Sequence, residues 1–250
     1  MGSNDISGVI PVTIGELVNL EELALDANYL GSELGDNSTV TKLLSDALPS
    51  QIGLLTKLQS LDLKDNYLDT KGDLNFEDFA TMKNLSKFSL ILSAKRLDQN
   101  RAHRRRIHLS RAGTFILRSN EFTGEILPSI GNLPSSLTLL DLSDNAFVGT
   151  LPTEIGNLVA LTDLRIARSD QSSPTEGTCP MGCLSGTIPT EFGQLVNLVT
   201  LWLFENALSG ALPSELGYLT SLTECLININ SLSGEIPNDF SSLKDLGTFD

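Results

Sequence analysis

Residues 189–212 read PTEFGQLVNLVTLWLFENALSGAL, and residues 213–236 read PSELGYLTSLTECLININSLSGEI. Offset by 24 residues, the two lines superpose at Pro189 and Pro213, Phe192 and Leu216, Gly193 and Gly217, Leu195 and Leu219, Leu198 and Leu222, Leu201 and Cys225, Leu203 and Ile227, Asn206 and Asn230, Leu208 and Leu232, and Gly210 and Gly234. The same order begins at Pro11, Pro49 and Pro152, and Ile126 to Gly149 joins it if one extra residue is allowed near Pro134. A fixed period of this length marks a stack of small units that share one core.

Each slot has a physical reason. The apolar pair two apart, such as Leu201 and Leu203, points to one side of a short strand. The other apolar slots close the coil around the same core, which no single coil can bury alone. The asparagine both donates and accepts, so it can satisfy buried backbone groups of neighbouring coils. The glycine after the Ile or Phe slot permits either a close approach or a positive φ. The proline fixes an extended segment on the side away from the strand.

On these residues the chain resembles the leucine-rich-repeat family. The 24-residue period and the Leu-x-Gly-x-Ile-Pro segment (Leu184, Gly186, Ile188, Pro189; Leu232, Gly234, Ile236, Pro237) are similar to its plant-type subfamily. That subfamily includes receptor-like kinase ectodomains, receptor-like proteins and polygalacturonase inhibitors. The resemblance implies an α/β-type repeat solenoid. It would form a horseshoe arc with a parallel β-sheet on its concave face and short 3-10 or loop segments on its convex face. It also implies protein, peptide or glycan ligands and, in full-length relatives, a membrane anchor and sometimes a kinase.

Composition narrows the function. The 250 residues carry 31 acids and 17 bases, a formal charge of −14, and 40% are hydrophobic. That is too apolar for disorder, and the acidity repels a phosphate backbone, so no nucleic-acid partner is expected. No apolar run approaches the roughly 18 residues of a membrane span, so direct membrane insertion is not expected. No charged-then-apolar leader follows Met1.

The array is expected to be one domain, 1–250, incomplete at both ends. Asn4, Ile6, Gly8, Ile10 and Pro11 read as the tail of a coil, and Pro237, Phe240, Leu243, Leu246 and Phe249 lead into another strand. Three insertions interrupt it, near 32–48, 91–117 and 169–183. Leu85, Phe88 and Leu90 repeat the spacing of Leu58, Leu61 and Leu63, and joining Leu90 to Arg118 would restore a regular repeat. The 27 residues between hold seven of the bases, one acid (Asp98) and both histidines, His103 and His108; without them the chain stands at −20. Two origins fit, a retained intron translated in frame or an irregular extra coil. Under either, Phe115 and Leu117 suit the inward strand slots.

The chemistry-bearing candidates are few. Lys95, Arg96 and Arg104 to Arg106 could form a nucleic-acid patch, but no aromatic residues interleave with them, and a solvated basic coil suits the composition better. Cys179 and Cys183 allow a disulfide pinning the third insertion if the chain is secreted, or two free thiols; zinc ligation lacks a second ligand pair. Cys225 falls in an inward slot and reads as a core residue. Asn37 and Asn84 open glycosylation sequons. No nucleophile triad, HExxH or phosphate loop occurs, and the Asp141 and Asp144 carboxylates read as a solvated face. No catalytic residue, metal or cofactor is expected.

The functional surface is expected on the strand face. Between the inward strand residues lie Ala24, Asp62, Asp141, Arg165, Trp202 and Leu226; two positions on lie Asp26, Lys64, Ser143, Ala167, Phe204 and Asn228. Trp202, Phe204 and Leu226 cluster on adjacent coils beside Arg165 and Arg168, downstream of an acidic stretch of Glu22, Asp26, Asp62, Asp65, Asp141 and Asp144. Aromatic and Arg side chains supply typical hot spots, with acidic residues guiding orientation. The bland alternative has Trp202 and Phe204 packing on each other or covered by the 169–183 loop. The reading is therefore a non-catalytic recognition module binding through Asp62, Asp141, Arg165, Arg168, Trp202, Phe204, Leu226 and Asn228, favoured at the cell surface or secreted. An intracellular scaffold for protein assembly is the alternative.

Overall fold

The computed structural model describes residues 4–25, 28–30, 32–34, 40–43, 49–58, 60–62, 66, 89–91, 113–118, 123–168 and 183–250. Its spine is a nine-stranded parallel sheet in sequential order. The strands are β1 (Glu22–Ala24), β2 (Ser60–Asp62), β3 (Ser89–Ile91), β4 (Gly113–Ile116), β5 (Leu137–Asp141), β6 (Asp163–Arg165), β7 (Thr200–Trp202), β8 (Glu224–Leu226) and β9 (Thr248–Phe249). One inward row crosses every strand in register: Leu23, Leu61, Leu90, Phe115, Leu140, Leu164, Leu201, Cys225 and Phe249. From Leu61 onward its described members are fully or almost fully buried until Phe249, which is 39% exposed. Cys225 is a free, buried thiol in this row, pushed up to about 12 by burial.

The opposite layer is a column of five-residue 3-10 turns, among them Val12–Glu16, Ser50–Leu54, Thr153–Asn157, Thr190–Gln194 and Ser214–Tyr218. Each of these starts directly after a proline held extended, as at Pro189 with φ −64° and ψ 138°. Each ends where the next leucine's N–H donates back to the carbonyl of the turn's apolar residue, Leu195 to Phe192 for example. Among the described residues no α-helix occurs, and the helical elements of the expected α/β-type solenoid are 3-10 turns.

The repeat glycines divide into two kinds. The one after the apolar turn residue is there for contact: a Cβ at Gly193 would lie 2.7 Å from both the Cβ and the carbonyl oxygen of Glu215. Gly210, in the Leu-x-Gly segment, instead takes φ +80°, where glycine carries no steric penalty. Those segments build a feature the repeat pattern did not announce. Thr123–Glu125, Ala146–Thr150, Leu184–Gly186, Ala207–Gly210 and Ser231–Leu232 form a second parallel sheet along the flank.

The asparagine slot forms a ladder between coils. Asn230 Nδ2 donates to Ile227 O at 2.8 Å in its own coil and to Leu203 O at 2.9 Å in the preceding one. Its Oδ1 accepts the Leu208 N–H at 3.0 Å. Asn206, Asn145, Asn66 and Asn28 make the same kind of bond. The coil of Leu164 and Ile166 has Ser169 at this slot. Ile166 O of that coil accepts Asn206 Nδ2 from the next coil at 2.8 Å, as Leu203 O accepts Asn230 Nδ2.

The irregularities resolve individually. The extra residue near Pro134 becomes a bulge: Leu137 pairs with Gly113 but Leu139 pairs with Thr114, which skips Thr138. The first insertion contains an antiparallel hairpin, Ser32–Leu34 against Val40–Leu43. The second contributes β4, a full rung between β3 and β5; Phe115 within it and Leu117 directly after it are both 0% exposed. One slot moves. The spacing of Leu85, Phe88 and Leu90 puts Phe88 level with Leu61, whereas in the structure Leu90 pairs with Leu61 and with Phe115. A slip of two residues keeps every side chain on its face, so period-2 patterning cannot detect it. In the third insertion, 169–182 lie outside the described residues. Cys183 is disulfide-bonded, and Cys179 is likewise outside them.

Candidate functional site

The outward row of the sheet follows from the inward one, because neighbours along a strand face opposite ways. In register it runs Ala24, Asp62, Ile91, Ile116, Asp141, Arg165, Trp202 and Leu226. Ile91 and Ile116 were missed in the sequence reading. They separate Asp62 from Asp141, so the acidic stretch is not continuous. Ile116 was legible, since placing Phe115 and Leu117 inward puts it outward; Ile91 was hidden by the two-residue slip. For Asp62, Leu90 and Ile91 only the backbone is described, so their rows are those of the register. Asp26, Asn37, Lys64, Asp65 and Asn84 lie outside the described residues.

The structure brings together Asp141, Arg165, Trp202 and Leu226 on four successive strands, with Phe204 beside them. The Arg165 guanidinium carbon lies 4.4 Å from the centroid of the Trp202 ring. Its Nη2 donates to Asp163 Oδ1 at 2.7 Å. At the indole's edge, Trp202 Nε1–H donates to Glu224 Oε2 at 3.0 Å. Phe204 meets the ring at 6.1 Å, tilted by 53°. Trp202 is thus held by its face, its edge and a second aromatic, yet it remains half-buried, as do Phe204, Leu226 and Asn228. An aromatic group fixed before binding loses little rotamer entropy when a partner arrives. Asp163 and Glu224 hold this cluster in place; their signal in the sequence was an acid one position before the inward strand residue.

Next to this cluster the charges are arranged differently. Asp141 is fully buried although it lies on the outward row. Its Oδ1 accepts the Ser143 N–H at 3.0 Å, while its Oδ2 has no partner. Burial lifts its carboxyl above the ordinary range, against the opposing pull of its bonds to Ser143 and of the Arg118 and Arg165 charges. Arg118 Nε meets Asp144 Oδ2 at 3.2 Å, which accounts for a second acid of this stretch. Arg168 lies three residues past β6, with Nη1 3.7 Å from Cys183 Sγ. Its backbone N–H donates to Phe204 O. Among the described residues no group of three or more His, Cys, Asp or Glu is placed to hold a metal. A hollow of about 300 Å³ bounded by Thr190, Glu191, Gly193, Gln194, Glu215 and Tyr218 lies among the 3-10 turns, away from the strand face.

Comparison with known proteins matches this geometry. A family profile for Leucine Rich Repeat matches residues 136–158. Receptor-like protein 41 of Arabidopsis thaliana is 47% identical over 55 residues, which cover 22% of this chain and 6% of that protein. The LRR receptor-like serine/threonine-protein kinase EFR of the same plant is 47% identical over 47 residues, or 19% of this chain and 5% of that one. The chain therefore spans a small part of the relatives it matches. Among solved structures, the plant peptide hormone receptor RGFR1 in complex with RGF2 superposes with a TM-score of 0.67 at 27% identity, over 100% of this chain and 35% of that one. PEPR1 with AtPEP1 superposes with a TM-score of 0.51 at 26% identity, over 98% and 37%.

Proposed function

We propose that this leucine-rich-repeat array, similar to plant receptor ectodomains, is a non-catalytic recognition module that binds a peptide or protein segment across its strand face. Residues 1–250 are taken as one repeat domain. The observation that carries the reading is the Arg165–Trp202–Phe204 cluster: large side chains on an outward row, held by Asp163 and Glu224, and still open to a partner. Hot spots concentrate in aromatic and arginine side chains. Arg165, Trp202, Phe204 and Leu226 form its centre, with Arg168 and Asn228 at the rim and Asp141 behind Arg165. RGFR1, a plant peptide hormone receptor solved in complex with RGF2, supports a peptide over a glycan as the first partner to test. The disulfide at Cys183 supports a secreted or cell-surface setting over an intracellular scaffold, because such bonds persist in oxidising compartments.

The test is selection of linear peptides from a displayed library on the immobilised chain. Trp202→Ala is expected to weaken the selected peptides at least about tenfold, the loss typical of a hot spot. Its far-UV circular dichroism should not change, because Trp202 lies outside the core. Equal affinity of Trp202→Ala and parent for every selected peptide would refute the assignment.

A further inference from the structure

Among the described residues the strand face contains two buried polar atoms with no partner, and they belong to residues adjacent in register. One is an acceptor, Asp141 Oδ2; the other is a donor, Arg165 Nε. Their companion atoms are committed: Asp141 Oδ1 to the Ser143 N–H, and Arg165 Nη2 to Asp163. Buried polar groups are normally satisfied, so a pair left open on a recognition face needs an explanation. A bare cation arriving there would meet the Arg165 and Arg118 charges. A bare carboxylate would meet Asp141. An uncharged group that carries an N–H and a C=O side by side offends neither and satisfies both.

From this we infer that Asp141 and Arg165 form a reader for a carboxamide, either a ligand's Asn or Gln side chain or a main-chain amide. The amide N–H donates to Asp141 Oδ2, and its carbonyl accepts from Arg165 Nε–H. The inference rests on the proposed recognition role of this face and names its polar anchor. Entry requires the Arg165 guanidinium to slide along the indole it covers, since both atoms are shielded in the free protein. Arg165 can do so because its guanidinium is held at the rim by a part-exposed ion pair, with side-chain exposures of 17% and 24%. The apolar end of the row, Trp202 and Leu226, then takes the neighbouring part of the same ligand.

The chain has a single tryptophan, so one indole N–H resonance reports on the site. Parent protein labelled with nitrogen-15 is titrated with N-acetylglycinamide, acetate and methylammonium at matched ionic strength. The carboxamide is expected to shift the indole signal saturably, with acetate and methylammonium at least about fivefold weaker, as one lost hydrogen bond predicts. Asp141→Asn keeps its oxygen on the Ser143 N–H and turns an NH2 toward Arg165 Nε–H, so its preference is expected to invert toward acetate. Asp141→Leu is expected to lose the carboxamide response while retaining the parent fold by circular dichroism. Equal binding of all three probes, no indole response, or an unchanged carboxamide isotherm in Asp141→Leu would each overturn the inference. Selected peptides that depend on Trp202 but not on Asp141 would remove the amide reader and leave the recognition role standing.

Discussion

Replacing Phe115 with alanine tests whether the basic insertion is a working rung of the array. Phe115 is 0% exposed and lies in the inward row between Leu90 and Leu140. Truncating a buried phenylalanine costs about 3–5 kcal/mol, of which roughly 1.5–3 is lost transfer free energy and the rest reflects the cavity left behind. The cavity should persist, because β4 is paired on both sides and Leu117 N–H donates to Asp141 O at 2.7 Å. Coupling in a solenoid runs between nearest neighbours, so the loss should centre on β3, β4 and β5. Phe192, also 0% exposed but in a regular coil, supplies the internal standard through Phe192→Ala. Denaturant unfolding gives the total change, and amide exchange across residues 113–117 and 137–141 gives its location. A Phe115→Ala penalty below about 1 kcal/mol beside a full penalty for Phe192→Ala would refute the claim that the insertion is part of the cooperative core.

Asn206→Ala removes an acceptor for the Leu184 N–H and a donor to the Ile166 and Leu203 carbonyls. It is expected to cost about 2–3 kcal/mol in denaturant unfolding, and a change within 0.5 kcal/mol would show that water replaces the ladder. Ile229 is 61% exposed with φ +54°, a conformation that disfavours β-branched side chains. Ile229→Asn should therefore raise stability by about 1 kcal/mol, and a lower melting temperature would count against that strain. The raised carboxyl of Asp141 gives a pH signature. Only between the unfolded carboxylate pKa of about 3.9 and the higher native value does the native form hold a proton that the unfolded chain has released, so its contribution is intact below that unfolded value. That contribution is lost as pH rises through the higher native value. Asp141→Asn stays neutral throughout, so its stability relative to parent should grow from pH 3 to 7; a flat difference would exclude the burial cost.

The outward row explains why part of the site could be read in advance and part could not. Arg165, Trp202 and Leu226 each sit between two inward apolar residues, so periodicity alone put them on one face and one coil apart. The parallel register bears out that placement. Periodicity did not show that Asp141, a solvated acid by pattern, is fully buried, nor that its neighbour Arg165 turns toward Asp163 and Trp202. Those are choices among rotamers and partners, made by the side chains that happen to surround them. The two-residue slip at β3 is similar: it leaves the pattern of faces unchanged, and only the pairing of Leu90 with Leu61 and Phe115 reveals it.

Sequence by itself determined the coil: its length, its inward row, its asparagine ladder, and the proline that opens each turn on the far side. These depend on local geometry repeated at one period, and a repeat that cannot bury its own face must stack. Tertiary structure alone decided how the breaks were absorbed: a bulge at Thr138, a hairpin in the first insertion, and a full strand from the second. It also decided the chemistry of the strand face, where burial left one carboxylate oxygen and one guanidinium N–H adjacent in register and unpaired. The physical reason is that stacking follows from spacing along one chain, whereas desolvation and pairing depend on side chains contributed by three or four coils at once.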